Sequence, residues 1–485
     1  MAQNLSRLIL RDAKLPTGGD FVVQGITADS REVKPDFVFA ALPGTKADGS
    51  SFIEHAFANG ASAIICQTGS YKGPGKAIET DNPRRLLALM AARFYDEQPD
   101  TIVAVTGTNG KTSVAVFVRQ IWAYMGFRAA SLGTIGMVGP EGTQYLSHTT
   151  PDPVQLAQIC AQLRENQVQH LAIEASSHGL AQFRLDGLRL TAGAFTNLTR
   201  DHLDYHDTFE AYFEAKMRLF DALLPRGGTA VINMDSPYGS QVLQHAVKAG
   251  LVPFTVGATG TDLKLSSVRQ SGLAQELSVN SKSGSHVLTL PLVGEFQASN
   301  ALMAAGLVIA AGGEESLALH ALESLKGARG RLELAGAASS GASIFVDYAH
   351  TPDALETAIA ALRPYTNGKL SVVFGCGGDR DKGKRPIMGA IAQQFADVVY
   401  VTDDNPRSEN AAEIRKAILA AAPKAIEIAD RAKAIATAIS ELDAGNILLV
   451  AGKGHEEGQI IGAKTIPFSD HDAVTAALAG KVYHG

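Results

Sequence analysis

The sequence predicts an α/β protein of three domains: a small N-terminal domain, a central domain on a parallel sheet with an added antiparallel portion, and a C-terminal domain on a second open sheet. Three observations predict it. Apolar runs of about five residues alternate with helical stretches from Thr101 to Asn233 and again from Ile344 to Ala451, as strands buried on both faces of a sheet do. A Gly-rich turn joins one such strand to a long helix. Residues 263–293 alternate apolar and polar with period 2 instead. A length of 485 residues agrees, since domains average roughly 150.

Composition narrows the class. Apolar residues at 46% and charged residues at 19% exclude a disordered chain. Lys+Arg 43 against Asp+Glu 49 leaves a net charge of −6, so no basic field recommends a nucleic-acid partner. Cys66, Cys160 and Cys376 are too few and scattered for a disulfide framework or a thiolate metal site. The three-residue apolar run near the N-terminus is too short for a signal-peptide core, and no window approaches 18 apolar residues. The expected setting is therefore the cytoplasm, with no membrane insertion, and the expected form a monomer acting on small molecules.

The first hundred residues mix short strands (Phe21–Thr27, Val38–Leu42, Ala63–Gln67) with turns, then a helix from Pro83 to Tyr95 opened by Asp81-Asn82. The polar stretch Asp96–Asp100 is the first boundary. Strands follow at Thr101–Thr106, His170–Ala175, Gly193–Leu198 and Thr229–Asn233, with a helix running through Met125. Antiparallel strands are expected around Leu263, Glu276–Val279 and Val287–Leu290, then a helix-rich stretch over 296–325 ending in Lys326–Arg331. The last unit has strands at Ile344–Tyr348, Leu370–Phe374, Asp397–Val401 and Ile447–Ala451. The expected domains are 1–98, 99–330 and 331–485.

The strongest chemical signal is Thr106-Gly-Thr-Asn-Gly-Lys-Thr-Ser113 between a strand and a helix. Phosphate oxygens need unobstructed backbone N–H donors, which Gly107 and Gly110 permit, and a helix N-terminus adds partial positive charge. Lys111 can reach the β/γ-phosphates and the Thr112 hydroxyl can ligate Mg²⁺. The strict phosphate-loop pattern fails at one position, where Val105 replaces its first glycine. An ordinary glycine turn capping a helix is the alternative. Downstream, Glu174-Ala-Ser-Ser-His-Gly and Thr199-Arg-Asp-His-Leu-Asp-Tyr-His206 supply carboxylate and imidazole groups at strand ends, which face the same crevice as a phosphate loop. A hard cation shared with phosphates needs only one or two such ligands plus water. Taken singly, each also reads as a solvated or satisfied loop residue.

Gly107-Thr-Asn-Gly-Lys-Thr, Glu174-Ala-Ser-Ser-His-Gly, Asp201-His-Leu-Asp-Tyr-His, Gly330-Arg-Leu-Glu and Val346-Asp-Tyr-Ala-His-Thr-Pro-Asp together resemble the Mur ligases. The likeness runs from Asp29-Ser-Arg31 to Gly452-Lys-Gly-His-Glu456, nearly the whole chain. It implies a UDP-substrate domain, an ATP-binding domain and a Rossmann-like domain for the incoming amino acid. The implied reaction is ATP-dependent amide formation through an acyl phosphate. It joins meso-2,6-diaminopimelate to UDP-N-acetylmuramoyl-L-Ala-D-Glu in peptidoglycan precursor synthesis.

By resemblance, Lys111, Glu174, His202 and Lys216 are the catalytic residues, and Thr112, Glu174, His202 and Lys216 (as a carbamate) the Mg²⁺ region. The nucleotide contacts are Gly107, Thr108, Asn109, Gly110, Lys111, Thr112 and Ser113, with Asn300, Arg331, Asp347 and Tyr348. For the UDP-sugar peptide the matching positions are Ser30, Thr45, Lys46, Ala47, Thr149, Thr150, Ser176, Gln182 and Arg184. Hydroxyls and amides suit a sugar and uracil, and Arg184 suits a carboxylate or phosphate. Ser30 and the threonine pair also read as turn and cap residues.

The third substrate falls to Asp404, Asn405, Pro406 and Arg407, with Arg380, Gly452 and Glu456. Diaminopimelate differs from lysine by a carboxylate on its distal carbon. Arg407 can fork onto that carboxylate and Glu456 can hold the distal ammonium. Asp81-Asn-Pro-Arg84 carries the same four letters, but there it reads as an N-cap with proline at the first helical position. Lysine-adding and folylpolyglutamate-synthase-like ligases are the rivals within this chemistry, and a nucleotide-dependent switch the rival outside it.

Overall fold

A computed structural model describes residues 2–44, 48–199, 201 and 205–483. The chain separates into two compact units, one of residues 1–265, 280–285 and 299–321, the other of 266–279, 286–298 and 322–485. Among the described residues no helix is long and apolar enough to cross a membrane.

In the first unit, β1 (Gln3–Asn4) pairs with β2 (Val22–Val23). Strands β3 (Gly25–Thr27), β4 (Phe37–Ala40), β5 (Ala63–Gln67) and β6 (Ala77–Thr80) form a parallel sheet in that order. The helix Pro83–Tyr95 buries Leu86, Leu87, Met90 and Phe94 in a cluster with Val38 and Ile65. Asn82 starts this helix by accepting the Arg85 N–H (3.0 Å), and Pro83 takes the first helical position.

The second sheet is built around β7 (Thr101–Thr106). Its strands include β8 (Ala129–Gly133), β9 (Gly136–Gly139), β10 (Gly142–Gln144), β11 (His170–Glu174), β12 (Ala192–Phe195), β13 (Thr229–Asn233) and β14 (Val252–Gly257). The order is β10-β9-β8-β11-β7-β12-β13-β14, and β8, β11, β7, β12, β13 and β14 run parallel. Ile102, Ala104, Leu171, Ile173 and Phe195 lie in its core, so the near-continuous apolar character of these strands follows from burial on both faces.

Next along the chain come β15 (Leu263–Ser271), β16 (Ala274–Ser281) and β17 (Gly284–Leu290), linked by two residues each, a spacing that only hairpins of antiparallel strands bridge. The antiparallel expectation needs one correction at its start. Leu263 and Lys264 pair parallel with Val256 and Gly257, because residues 258–262 make a tight loop tied to the Asp235 carboxylate through Ala258 N–H (2.8 Å) and Thr259 N–H (3.0 Å).

The second unit holds a sheet ordered β18-β19-β23-β20-β21-β22, of β18 (Glu333–Ala337), β19 (Ser343–Asp347), β20 (Leu370–Phe374), β21 (Val398–Val401), β22 (Ile426–Glu427) and β23 (Ile447–Ala451). All its neighbours run parallel except β18 with β19. Apolar clusters cover both faces, one around Phe345, Val372 and Leu449, the other around Ile344, Val373 and Leu448. A hairpin of β24 (Gly458–Ile461) and β25 (Lys464–Pro467) follows.

Candidate active site

The phosphate loop leaves the C-terminal end of β7 at the sheet centre. Gly107 (φ 144°) and Gly110 (φ 87°) are in the left-handed region. A Cβ at Gly107 would stand 1.9 Å from Thr196 Oγ1, and one at Gly110 2.4 Å from Asn300 Oδ1, so neither site admits a side chain. Asn197 holds the loop's shape, its carbonyl accepting the Thr108 N–H (2.9 Å) and its Oδ1 the Asn109 N–H (2.9 Å). The N-cap of the helix Lys111–Tyr124 is Gly110, which has no side chain to cap it, and this leaves the first turn facing the loop as a ready anion site. Lys111 Nζ folds back to donate to the carbonyls of Gly107 (3.0 Å) and Thr108 (2.8 Å). Ser113 is buried inside that first turn.

Glu174 ends β11, beside β7, and is 1% exposed. Its Oε2 accepts the hydroxyls of Thr112 (3.1 Å) and Thr134 (3.2 Å), and its Oε1 the Thr134 N–H (2.7 Å). Gly133 makes room for it, since a Cβ there would lie 2.0 Å from Oε1. This donor set is oxygen-only and includes one carboxylate, which fits a hard cation that keeps water and phosphate as its other ligands. His202 lies outside the described residues.

Lys216, on the helix Phe209–Arg218, is 1% exposed and donates to the Gly107 carbonyl (2.7 Å), the oxygen that Lys111 also uses. Its ammonium sits over the Tyr212 ring at 4.2 Å. Burial, and next the charge of Lys111, hold Lys216 well below the usual lysine range, against a smaller pull from Asp201. Tyr212 in turn shares a hydrogen bond with Thr108 Oγ1 (3.1 Å).

A second wall adjoins Glu174. Thr150 Oγ1 donates to the Glu174 carbonyl (2.8 Å) and pairs with Ser176 Oγ (2.9 Å), which also caps a short helix through the Gly179 N–H (3.1 Å). Thr149 Oγ1 meets Thr134 Oγ1 at 3.2 Å. Arg184 spans the Thr150 carbonyl (2.6 Å) and Gln182 Oε1 (2.8 Å), while Gln182 Nε2 donates to Tyr205 (3.0 Å). The cap bond here is thus made by Ser176, whereas the Thr150 hydroxyl, read also as a cap or turn group, instead joins positions 24 and 26 residues apart. Ser30 is buried beyond β3, where its carbonyl accepts from Asn59 (3.1 Å), and among the described residues no hydrogen bond ties it to this wall. Thr45, Lys46 and Ala47 lie outside the described residues. Asn300 packs on Gly110.

Within the second unit, the Arg331 guanidinium lies over the Tyr348 ring at 4.9 Å. Asp347 accepts the Leu332 N–H (2.6 Å), and burial pushes its carboxyl up to about 6 against the pull of Arg331. Arg407 occupies the left-handed region (φ 51°) and is fixed from both sides, its N–H to Ile460 and its carbonyl to Gly462 N–H. Its Nη1 donates to the carbonyls of Gly378 (2.9 Å) and Asn405 (3.4 Å), and Nε and Nη2 make no hydrogen bond among the described residues. Asn405 and Asp404 are buried, and Pro406 accepts the Glu409 N–H (3.0 Å). Gly452 (φ 119°) is required by closeness, a Cβ there falling 2.7 Å from Asp404 Oδ2. Glu456 Oε2 accepts from Asn405 Nδ2 (2.9 Å) and Lys453 Nζ (3.2 Å). Arg380 is exposed and donates to the Asp379 carbonyl (3.3 Å).

These motifs have counterparts. Family models match along the chain in order: Mur ligase family, catalytic domain, over residues 22–95; Mur ligase middle domain over 105–308; and Mur ligase, glutamate ligase domain, over 330–454. A UDP-N-acetylmuramoyl-L-alanyl-D-glutamate–2,6-diaminopimelate ligase of Mesorhizobium japonicum is 56% identical over 461 residues, 95% of each chain. The chain belongs to the Mur ligase family. The Mur ligase of the same name from Bradyrhizobium diazoefficiens is 52% identical over 486 residues, 99% of each chain. A solved structure under that name superposes with a TM-score of 0.73 at 32% identity, covering 99% of both chains. Like other Mur ligases the protein is an ATP-dependent amide ligase of α/β architecture.

The sequence pointed to none of Thr134, Tyr212 or Lys453 as site residues, yet each touches a residue it did single out. A signal existed for Lys453 alone, inside Gly452-Lys-Gly-His-Glu456.

Proposed function

We propose that the protein joins meso-2,6-diaminopimelate to the D-Glu γ-carboxylate of UDP-N-acetylmuramoyl-L-Ala-D-Glu, a step of cytoplasmic peptidoglycan precursor synthesis. The observation that carries the acceptor is the Arg407 turn. Its guanidinium is held through Nη1 while the rest of the fork stays available, and Glu456 presents a carboxylate beside the same Asn405. That pairing suits a distal carbon bearing both a carboxylate and an ammonium.

The γ-phosphoryl group of ATP passes to the D-Glu carboxylate, giving an acyl phosphate and ADP. The acceptor amine attacks that carbonyl, and the tetrahedral intermediate expels phosphate. Lys111 and the uncapped helix turn hold the phosphates, and their positive charge offsets the charge that builds on the phosphoryl oxygens. Thr112 and Glu174, with His202, would hold a magnesium ion, which when bound supplies further positive charge there. Lys216 supports this as a carbamate: burial lowers its affinity for a proton, which favours the free amine that adds carbon dioxide with loss of a proton, and the product is an anionic oxygen ligand. For the domain limits 1–98, 99–330 and 331–485, the first boundary falls in the gap between two family models and the second lies one residue inside the start of the third model.

Phosphate release with the UDP-dipeptide tests the reading: it should require Mg²⁺ and diaminopimelate. Lys216→Ala should be nearly inactive, with partial rescue by short carboxylates. In ¹³C-bicarbonate, the wild type should show a carbamate carbon by NMR that this variant lacks. Full activity of Lys216→Ala without additive would refute the carbamate role.

A further inference from the structure

The Arg407 turn and the Gly452–Glu456 loop are fastened together by a cation that no function given above uses. Lys453 is 0% exposed. Its Nζ donates to Asn405 Oδ1 (3.1 Å) and to Glu456 Oε2 (3.2 Å). Asn405 is fixed at three points, since Oδ1 also accepts the Ile460 N–H (2.9 Å) and Nδ2 donates to Glu456 Oε2 (2.9 Å). Both donors to Glu456 therefore fall on one oxygen, and no hydrogen bond among the described residues reaches Oε1.

We propose that Lys453 is a positioning residue that sets the charge the acceptor must carry, acting through Asn405 on the Arg407 fork. The proposal rests on the reading of Arg407 and Glu456 as the acceptor pocket. Lys453 pins Asn405 Oδ1 and Glu456 Oε2 together, and the Asn405 carbonyl accepts from Arg407 Nη1 (3.4 Å). Glu456 serves a distal ammonium that diaminopimelate and L-lysine both carry, so it adds nothing to the difference between them. The Arg407 fork serves the carboxylate that only diaminopimelate brings, so Lys453, by fixing the turn that aims the fork, enlarges the advantage of the two-charge substrate.

The test measures kcat/KM for meso-diaminopimelate and for L-lysine, and KM for ATP, in wild type, Lys453→Met and Lys453→Arg, each with and without Arg407→Ala. Lys453→Met should lower the diaminopimelate-to-lysine ratio by about tenfold or more, with KM for ATP within about twofold of wild type. Lys453→Arg should keep most of the ratio, and in the Arg407→Ala background Lys453→Met should change it no further. If the Met variant folds poorly, Lys453→Gln, a neutral donor, is read in its place. An unchanged ratio, or an equal drop in both backgrounds, overturns the proposal. A wild type indifferent to the two acceptors would instead overturn the acceptor reading on which it rests.

Discussion

Asp81–Arg84 and Asp404–Arg407 have the same four residues in the same order, and the fold uses them differently. In the first, Asn82 is an N-cap, Pro83 begins a helix, and Arg84 reaches over the surface to the Pro43 carbonyl. In the second, Asn405 is buried and bound at three points, no helix begins, and the arginine is forced to a positive φ. What differs is the surrounding sequence. A helix-forming apolar pattern follows Arg84, whereas Arg407 runs into Ser408-Glu-Asn410, where Asp379 accepts both Ser408 N–H (3.1 Å) and Ser408 Oγ–H (2.6 Å). A tetrapeptide acquires a role only from what it is held against.

Breaking each arginine gives the largest contrast. Arg407→Ala should reduce kcat/KM for diaminopimelate by at least ~100-fold, because the distal carboxylate is left buried without its partner. Arg84→Ala removes an exposed hydrogen bond and should change turnover by less than about threefold. Steady-state phosphate release measures both, and equal losses would end the assignment.

A subtler change moves Arg407 without deleting it. A Cβ at Gly377 would fall 2.7 Å from Arg407 Nη1, the far end of a flexible side chain. Gly377→Ala should therefore displace the fork and lower kcat/KM for diaminopimelate by roughly 10- to 100-fold, with little loss of thermal stability. A melting temperature that falls while activity holds would contradict it.

The asparagines separate the two turns by readout. Asn82→Ala should cost about 1 kcal/mol of stability as a lost N-cap and leave the KM for diaminopimelate alone. Asn405→Ala should raise that KM as well, since it strips a partner from Glu456 and from Lys453. Calorimetry with acceptor titration distinguishes the two.

The smallest effect is expected from acid. Arg385, and then the Asp379 N–H, hold the Glu409 carboxyl down at about 2, from an ordinary 4.5. The stabilisation from Glu409 is therefore complete above its ordinary value and is lost as pH falls through about 2. Protection of the Asp379 amide from hydrogen exchange should persist below pH 4.5; its loss near pH 4.5 would contradict the shift.

Strands such as Thr101–Thr106 and Thr229–Asn233 were legible because burial on both faces leaves unbroken apolar runs. Ala129–Gly133, made of small residues, and Val252–Gly257, with a proline inside, carry no such run and were missed. The phosphate loop was legible because its glycines and lysine are neighbours in sequence. Thr134 was not, because its bond to Glu174 joins positions 40 residues apart. The burial of Lys453 is likewise set by the loops that close over it.

The central claim is that the guanidinium at position 407 selects an acceptor by its distal carboxylate. With ATP, Mg²⁺ and UDP-N-acetylmuramoyl-L-Ala-D-Glu present, the direct measurement is phosphate release on adding either meso-2,6-diaminopimelate or L-lysine. The account predicts release with the first at ~100-fold or more the efficiency of the second; equal efficiencies would contradict it.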